Sequence, residues 1–133
     1  MTLPATMRAM VTMGHGDLDK LVLHLDWPRP DPAPGEEMVR VGACGLNTTD
    51  VNTRTGWYSK AVVEATTGAA YDAVNDEDPA WGGTPIAFPR IQGADVCGRI
   101  VAVGAGVPAA RIGERVITDN WLRDADAPLN KGK

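Results

Sequence analysis

The sequence predicts a small, mainly β domain of the barrel or sandwich type, and three observations lead to this prediction. The chain has 133 residues, which is the size of one ordinary domain. It contains 15 glycines and 10 prolines, and this density of turn-forming residues favours short strands over long helices. Several short segments rich in valine, isoleucine and leucine lie between those turns, as expected of strands.

The first half of the chain predicts three strands and one short helix. Residues 7–13 and 21–25 form apolar segments that we expect to be strands, with leucines 21, 23 and 25 on one face. Residues 26–35 contain four prolines and predict a surface connection that is neither helix nor central strand. Valines alternate in the strand predicted for residues 38–43, and residues 47–55 begin with helix-capping side chains.

The second half predicts two further strands. Residues 95–103 form a long segment rich in β-branched residues, which predicts a strand. Gly98 within this segment indicates a bulge or a close backbone approach. Residues 114–118 form the next strand. The intervening residues 104–109 fit the pattern G-x-G-x-x-A, but Gly113 follows too soon for a dinucleotide-binding helix, so we interpret this segment as a turn.

Two segments fit this scaffold poorly. Residues 59–87 read as an insertion, with a weak helical pattern over residues 61–70 and an acidic loop over residues 74–83. Residues 119–133 show no clear element.

Charge and composition exclude several classes of partner. The net charge is −4 and the basic residues are scattered, so the electrostatic footprint of a nucleic-acid-binding protein is lacking. The longest apolar run, residues 100–110, falls short of the ~20 residues that a membrane span requires. The N-terminus does not resemble a signal peptide, and with only two cysteines we expect a reduced, cytoplasmic protein without disulfides.

Several side chains are of types that can bind a metal ion, but their spacing along the chain matches no known metal-binding motif. They are Cys44, Cys97, His15, His24, Asp50 and Asp95. We expect both cysteines to be small apolar core residues, and both histidines to be solvated or at an edge, with His24 facing away from the neighbouring leucines.

The polar group at residues 47–50 follows a strand end. Taken alone it is typical of a helix cap, although Asn47 and Thr49 are also able to donate hydrogen bonds to a substrate oxygen.

Four segments, in their order along the chain, resemble the N-terminal GroES-like domain of the medium-chain dehydrogenase/reductase superfamily. They are residues 39–50 (VRVGACGLNTTD), 54–58 (RTGWY), 88–107 and 112–116 (IGERV). The resemblance implies a partly open β-barrel with short helices over residues 1–118. It also implies that residues 119–133 are a truncated tail leading to a Rossmann domain outside this chain.

Within that superfamily, the sequence resembles the zinc-independent, quinone-oxidoreductase-like branch. Zinc alcohol dehydrogenases carry a cysteine at the position of Asn47 and a His-Glu pair at the positions of Ala94 and Asp95. The branch's patterns Asn-x-x-Asp and Arg-x-Gly-x-Tyr are matched by Asn47, Asp50, Arg54, Gly56 and Tyr58. No zinc is therefore expected.

The resemblance implies the catalytic, substrate-binding part of an NAD(P)-dependent oxidoreductase acting on a carbonyl or alcohol, or on an activated alkene or quinone. It implies catalytic roles for Asn47, Thr49 and Tyr58. It places Asp50, Trp57 and Asp95 in the substrate pocket.

The cofactor, NADP or NAD, would be bound mainly by the domain outside this chain, so the chain alone is expected to be inactive. The partners expected are a small-molecule substrate and further copies of the protein in a homo-oligomer. The alternative is a stand-alone GroES-like binding or assembly module without catalytic activity.

Overall fold

The computed structural model describes residues 2–62, 74–75, 77–80 and 83–119. The regular secondary structure of these residues is mainly β, as predicted, with one α-helix and short 3₁₀ helices. The elements are β1 (Thr6–Thr12), β2 (Leu21–Pro28), β3 (Glu37–Gly45), α1 (Thr48–Arg54), β4 (Arg90–Ile91), β5 (Asp95–Val103) and β6 (Arg115–Ile117). They belong to two compact units, residues 1–31 with 46–94 and residues 32–45 with 95–133.

The first unit contains an antiparallel three-stranded sheet in the order β2-β1-β4, together with α1. The most buried side chains of this sheet, Ala9, Val11 and Thr12, belong to its central strand β1. Strand β4 has only two residues and pairs with Val11 and Thr12. Strand β4 was not predicted from the sequence, because a strand this short is defined by its pairing with β1.

Strand β2 departs from the prediction in length and in its buried face. It continues to Pro28, which an edge strand tolerates because its outer backbone groups need no partner. Leu23 and Leu25 are exposed, whereas His24 is half-buried. The register explains the reversal, because His24 lies opposite the buried Ala9 and therefore shares its face.

The second unit contains the antiparallel sheet β3-β5-β6, with Ile100 of the central strand almost fully buried. The predicted close approach at Gly98 is confirmed, since a Cβ there would collide with the carbonyl oxygen of Arg40. The predicted turn at residues 104–109 is also confirmed. A Cβ on Gly104 would collide with the Ala33 carbonyl, and the 3₁₀ helix that follows, Ala109–Arg111, has only three residues.

Much of the predicted insertion at residues 59–87, including most of the weak helical pattern, lies outside the described residues. Its described part begins at the buried Ser59, which forms an isolated bridge with Ala80. Of the predicted tail, only Asp119 is described. Among the described residues, no helix is long and apolar enough to cross a membrane.

Candidate functional site

Helix α1 begins with a reciprocal cap that involves two of the predicted site residues. The Asn47 side-chain oxygen accepts a hydrogen bond from the Thr49 backbone N–H at 2.8 Å. The Asp50 carboxylate accepts one from the Asn47 backbone N–H at 2.9 Å. This capping box confirms the helix start and fixes the Asn47 amide in one orientation.

The C-terminal end of α1 is anchored by Arg54, the arginine of the Arg-x-Gly-x-Tyr pattern. Its side chain is buried and donates from Nη1 to the Gly16 carbonyl at 2.5 Å. The Gly16 N–H donates in return to the Arg54 carbonyl at 2.9 Å, and the Asp17 carboxylate lies 3.8 Å from the guanidinium. Arg54 therefore ties α1 to the turn that follows β1.

Trp57 and Tyr58 follow directly after α1. The Trp57 N–H donates to the carbonyl of Asn52 at 3.0 Å, which continues the helix into a turn. The two aromatic rings meet edge to face at 5.6 Å, and both residues are half-buried. This contact restricts the Tyr58 ring, whose hydroxyl is one of the predicted donors.

Five of the six predicted site residues lie in the first unit, on α1 or next to it. They are Asn47, Thr49, Asp50, Trp57 and Tyr58. The sixth, Asp95, is the exposed first residue of β5 in the second unit, opposite Gly45. The roles assigned to these residues stay predictions.

Gln92 is a residue of this region that the sequence analysis missed. Its amide nitrogen donates to the Asp50 carbonyl at 2.8 Å, although 42 positions separate the two residues. Its side-chain oxygen is buried without a hydrogen-bond partner in the described part of the chain. The sequence carries no local signal for this contact, because folding alone brings residue 92 to α1.

The side chains with metal-ligand chemistry are dispersed. Among the described residues, no three histidine, cysteine, aspartate or glutamate side chains are placed to share a metal ion. The expectation that Cys44 is a core residue is wrong, because it lies exposed on the edge strand β3, while Cys97 is half-buried.

The two histidines are less solvated than predicted, because each packs against an aromatic ring. His15 meets Phe88 edge to face at 4.8 Å, and His24 meets Trp27 at 4.9 Å. His24 does lie on an edge strand, as expected.

In the second unit, Arg111 is neutralised by two carboxylates. It binds the Glu114 carboxylate at 3.0 Å and also pairs with Glu37. The hydrogen bond to Glu114, with the charge of Glu37, raises the pKa of Arg111 above its ordinary value.

Comparison with known proteins identifies the family. Residues 33–132 match the alcohol dehydrogenase GroES-like domain. The chain is 33% identical over 115 residues to the synaptic vesicle membrane protein VAT-1 homolog of Danio rerio, covering 86% of this chain and 19% of that protein. The chain thus spans about a fifth of this relative's length.

Solved structures agree with this match. A putative alcohol dehydrogenase from Sinorhizobium meliloti is 45% identical with a TM-score of 0.68, covering 86% of this chain and 29% of the other. A mycobacterial quinone oxidoreductase is 28% identical with a TM-score of 0.59, covering 85% and 27%. A mycobacterial structure complexed with NADPH is also 28% identical, with a TM-score of 0.58 and coverage of 85% and 27%.

These matches confirm the GroES-like fold predicted from the resemblance, and at the level of the family they support an oxidoreductase. The chain belongs to the alcohol dehydrogenase GroES-like domain family, within the medium-chain dehydrogenase/reductase superfamily.

Proposed function

We propose that this chain is the substrate-binding part of a zinc-independent, NAD(P)-dependent oxidoreductase that reduces a carbonyl or an activated alkene such as a quinone. The main support for the proposal is the structure at the start of α1. There the capping box holds an asparagine amide at the position where zinc alcohol dehydrogenases have a cysteine ligand. A fixed amide is suited to donate a hydrogen bond to a substrate oxygen.

The residues at this position do not fit a zinc ion. The Asn47 side-chain oxygen already accepts the Thr49 N–H, and Ala94 has no ligand atom. Zinc in proteins prefers thiolate, imidazole and carboxylate ligands. In the proposed reaction no step uses a metal.

Without a metal, hydrogen-bond donors must stabilise the negative charge that develops on the substrate oxygen during hydride transfer. In Asn47 the amide nitrogen is the donor atom, because the amide oxygen is only an acceptor and accepts the Thr49 N–H. The exposed Thr49 and the ring-packed Tyr58 add hydroxyl groups from the same unit. Loss of one such donor typically lowers kcat by about 10²–10³-fold.

The cofactor requires residues outside the described part of the chain. A bound nicotinamide would supply the hydride, but the glycine motif at residues 104–109 is a turn followed by only a three-residue 3₁₀ helix, which is too short to meet a pyrophosphate. The NADPH complex of the mycobacterial relative supports a nicotinamide cofactor for the family. In this proposal the chain binds the substrate, and a Rossmann domain binds the cofactor.

The proposal is tested with a chimera in which this chain replaces the matching segment of the Sinorhizobium meliloti protein, to which it is 45% identical. We expect the chimera to oxidise NADPH or NADH with quinone or aldehyde substrates, and EDTA to leave the rate unchanged. We expect the chain alone to show no turnover.

Asn47→Asp is the matched variant, because aspartate keeps the cap but replaces the amide donor by an oxygen. It should lower kcat about 10²-fold or more with unchanged thermal stability. Loss of activity on metal chelation, or an Asn47→Asp chimera as active as the parent, would contradict the proposal. A folded chimera that binds NADPH but turns over no substrate would favour the non-catalytic binding module.

A further inference from the structure

The second unit carries three arginines side by side across its sheet. Arg40 on β3 is paired in register with Arg99 on β5, and Arg99 is paired with Arg115 on β6. Directly opposed residues of antiparallel strands point to the same face, with Cα atoms only about 4.5–5.5 Å apart. These three residues, here called the arginine row, therefore present three positive charges on one face of the sheet.

Within the part of the chain that the structure describes, the arginine row has no neutralising partner. All three side chains are exposed, and none of them forms an ion pair within the described residues. Arg99 donates from Nη1 to the Gly113 carbonyl at 2.9 Å, which holds its guanidinium over the sheet. Like charges placed directly opposite each other destabilise a sheet, so the row is unfavourable unless an anion binds it.

The three glutamates of the same unit are already engaged. Glu37 and Glu114 bind Arg111, and the Glu36 carboxylate accepts the Ala33 N–H at 2.9 Å. None of these glutamates therefore neutralises the arginine row, although the net charge of the chain is −4. Arg111, which pairs with two carboxylates, thus differs from the three arginines of the row, which pair with none among the described residues.

A cleft lies at the arginine row. All three arginines line it, together with Val41, Gly42, Cys97 and Gly98, and its volume is about 230 Å³. Sites for drug-sized ligands occupy ~300–1,000 Å³, so this cleft suits a smaller group. Guanidinium groups match the geometry of phosphate oxygens and bind them in pairs of hydrogen bonds.

We propose that the arginine row binds the phosphate group of a small anionic ligand. The site lies entirely within the second unit and uses none of the residues proposed for catalysis, so it stands independently of the proposed function. Inorganic phosphate and a phosphate monoester share the recognised chemistry, and the experiment separates them.

The experiment is isothermal titration calorimetry of the 133-residue chain at low ionic strength, with inorganic phosphate, glycerol 3-phosphate and uncharged glycerol as separate titrants. We expect millimolar or tighter binding of at least one phosphate compound and none of glycerol. Tighter binding of glycerol 3-phosphate than of phosphate would identify a phosphorylated metabolite as the ligand, and the reverse would identify free phosphate.

The double variant Arg40→Gln/Arg115→Gln should weaken this binding by at least about tenfold, since charge-assisted hydrogen bonds are lost. Arg8→Gln is the matched control, because Arg8 is an exposed strand arginine of the first unit. It should change the affinity less than about twofold. Circular dichroism checks the fold, and Arg115→Gln alone replaces the double variant if that variant is unfolded.

Absence of binding by both phosphate compounds would overturn the proposal. So would equal affinities of the parent and the folded variant that lacks one or both arginines.

Discussion

Helix α1 and the arginine row use the same side chain in opposite ways. Arg54 at the end of α1 is buried, and its guanidinium and backbone both bond to Gly16. The arginines of the row are exposed, and no carboxylate of the described residues pairs with them. An arginine that stabilises the fold is thus recognised by its burial, and one available to a ligand by its exposure and its lack of a carboxylate partner.

The largest effect is expected at Arg54. Replacing it by alanine leaves the Gly16 carbonyl without its charged donor and removes a buried side chain. We expect the free energy of unfolding to fall by about 2–3 kcal/mol in urea denaturation. The exposed Arg8→Ala should change it by less than about 0.5 kcal/mol. Equal effects of the two variants would show that burial does not distinguish these arginines.

A second prediction concerns the spacing of the strands that carry the arginine row. Gly98→Ala would push a Cβ into the Arg40 carbonyl and force β3 and β5 apart, whereas a Cβ on Gly42 finds its nearest atom at 3.7 Å. We expect Gly98→Ala to cost about 1–3 kcal/mol of unfolding free energy. Gly42→Ala should be tolerated, and a comparable loss in both variants would contradict the close-approach argument.

The elements that sequence alone predicted well are those with local causes. The bounds of β5 were predicted correctly, because β-branched residues and turns on either side define them. The start of α1 was predicted from its capping residues.

What the sequence did not reveal depends on contacts between distant residues. The bond from Gln92 to Asp50, the buried face of β2 and the arginine row all depend on which strands become neighbours. Arg40, Arg99 and Arg115 are scattered along the chain, so their basic face exists only after the sheet has formed. Scattered basic residues in a sequence therefore do not exclude a local anion site.

The N-terminal cap of α1 should contribute less than the Arg54 anchor at the other end of the helix. Asn47→Ala removes the acceptor of the Thr49 N–H. We expect the free energy of unfolding, measured by thermal or urea denaturation, to fall by about 1 kcal/mol. Asn47→Asp should keep the cap and the stability. A loss in Asn47→Asp as large as that in Asn47→Ala would show that the amide nitrogen, not the capping oxygen, stabilises the helix.

The smallest effect, and the only gain in stability, is expected at the arginine row. With no phosphate present, Arg40→Gln removes the repulsion between Arg40 and its paired neighbour Arg99, so the free energy of unfolding should rise by at most about 1 kcal/mol. The gain should disappear near 1 M salt, where the Debye length falls to about 3 Å. Added phosphate should reverse the order, because it binds the parent more tightly and therefore stabilises the parent more than the variant. Urea denaturation of both proteins at low salt, at high salt and with phosphate measures the three expected differences in the free energy of unfolding. A variant less stable than the parent at low salt would mean that Arg40 acts as Arg54 does, as part of the fold.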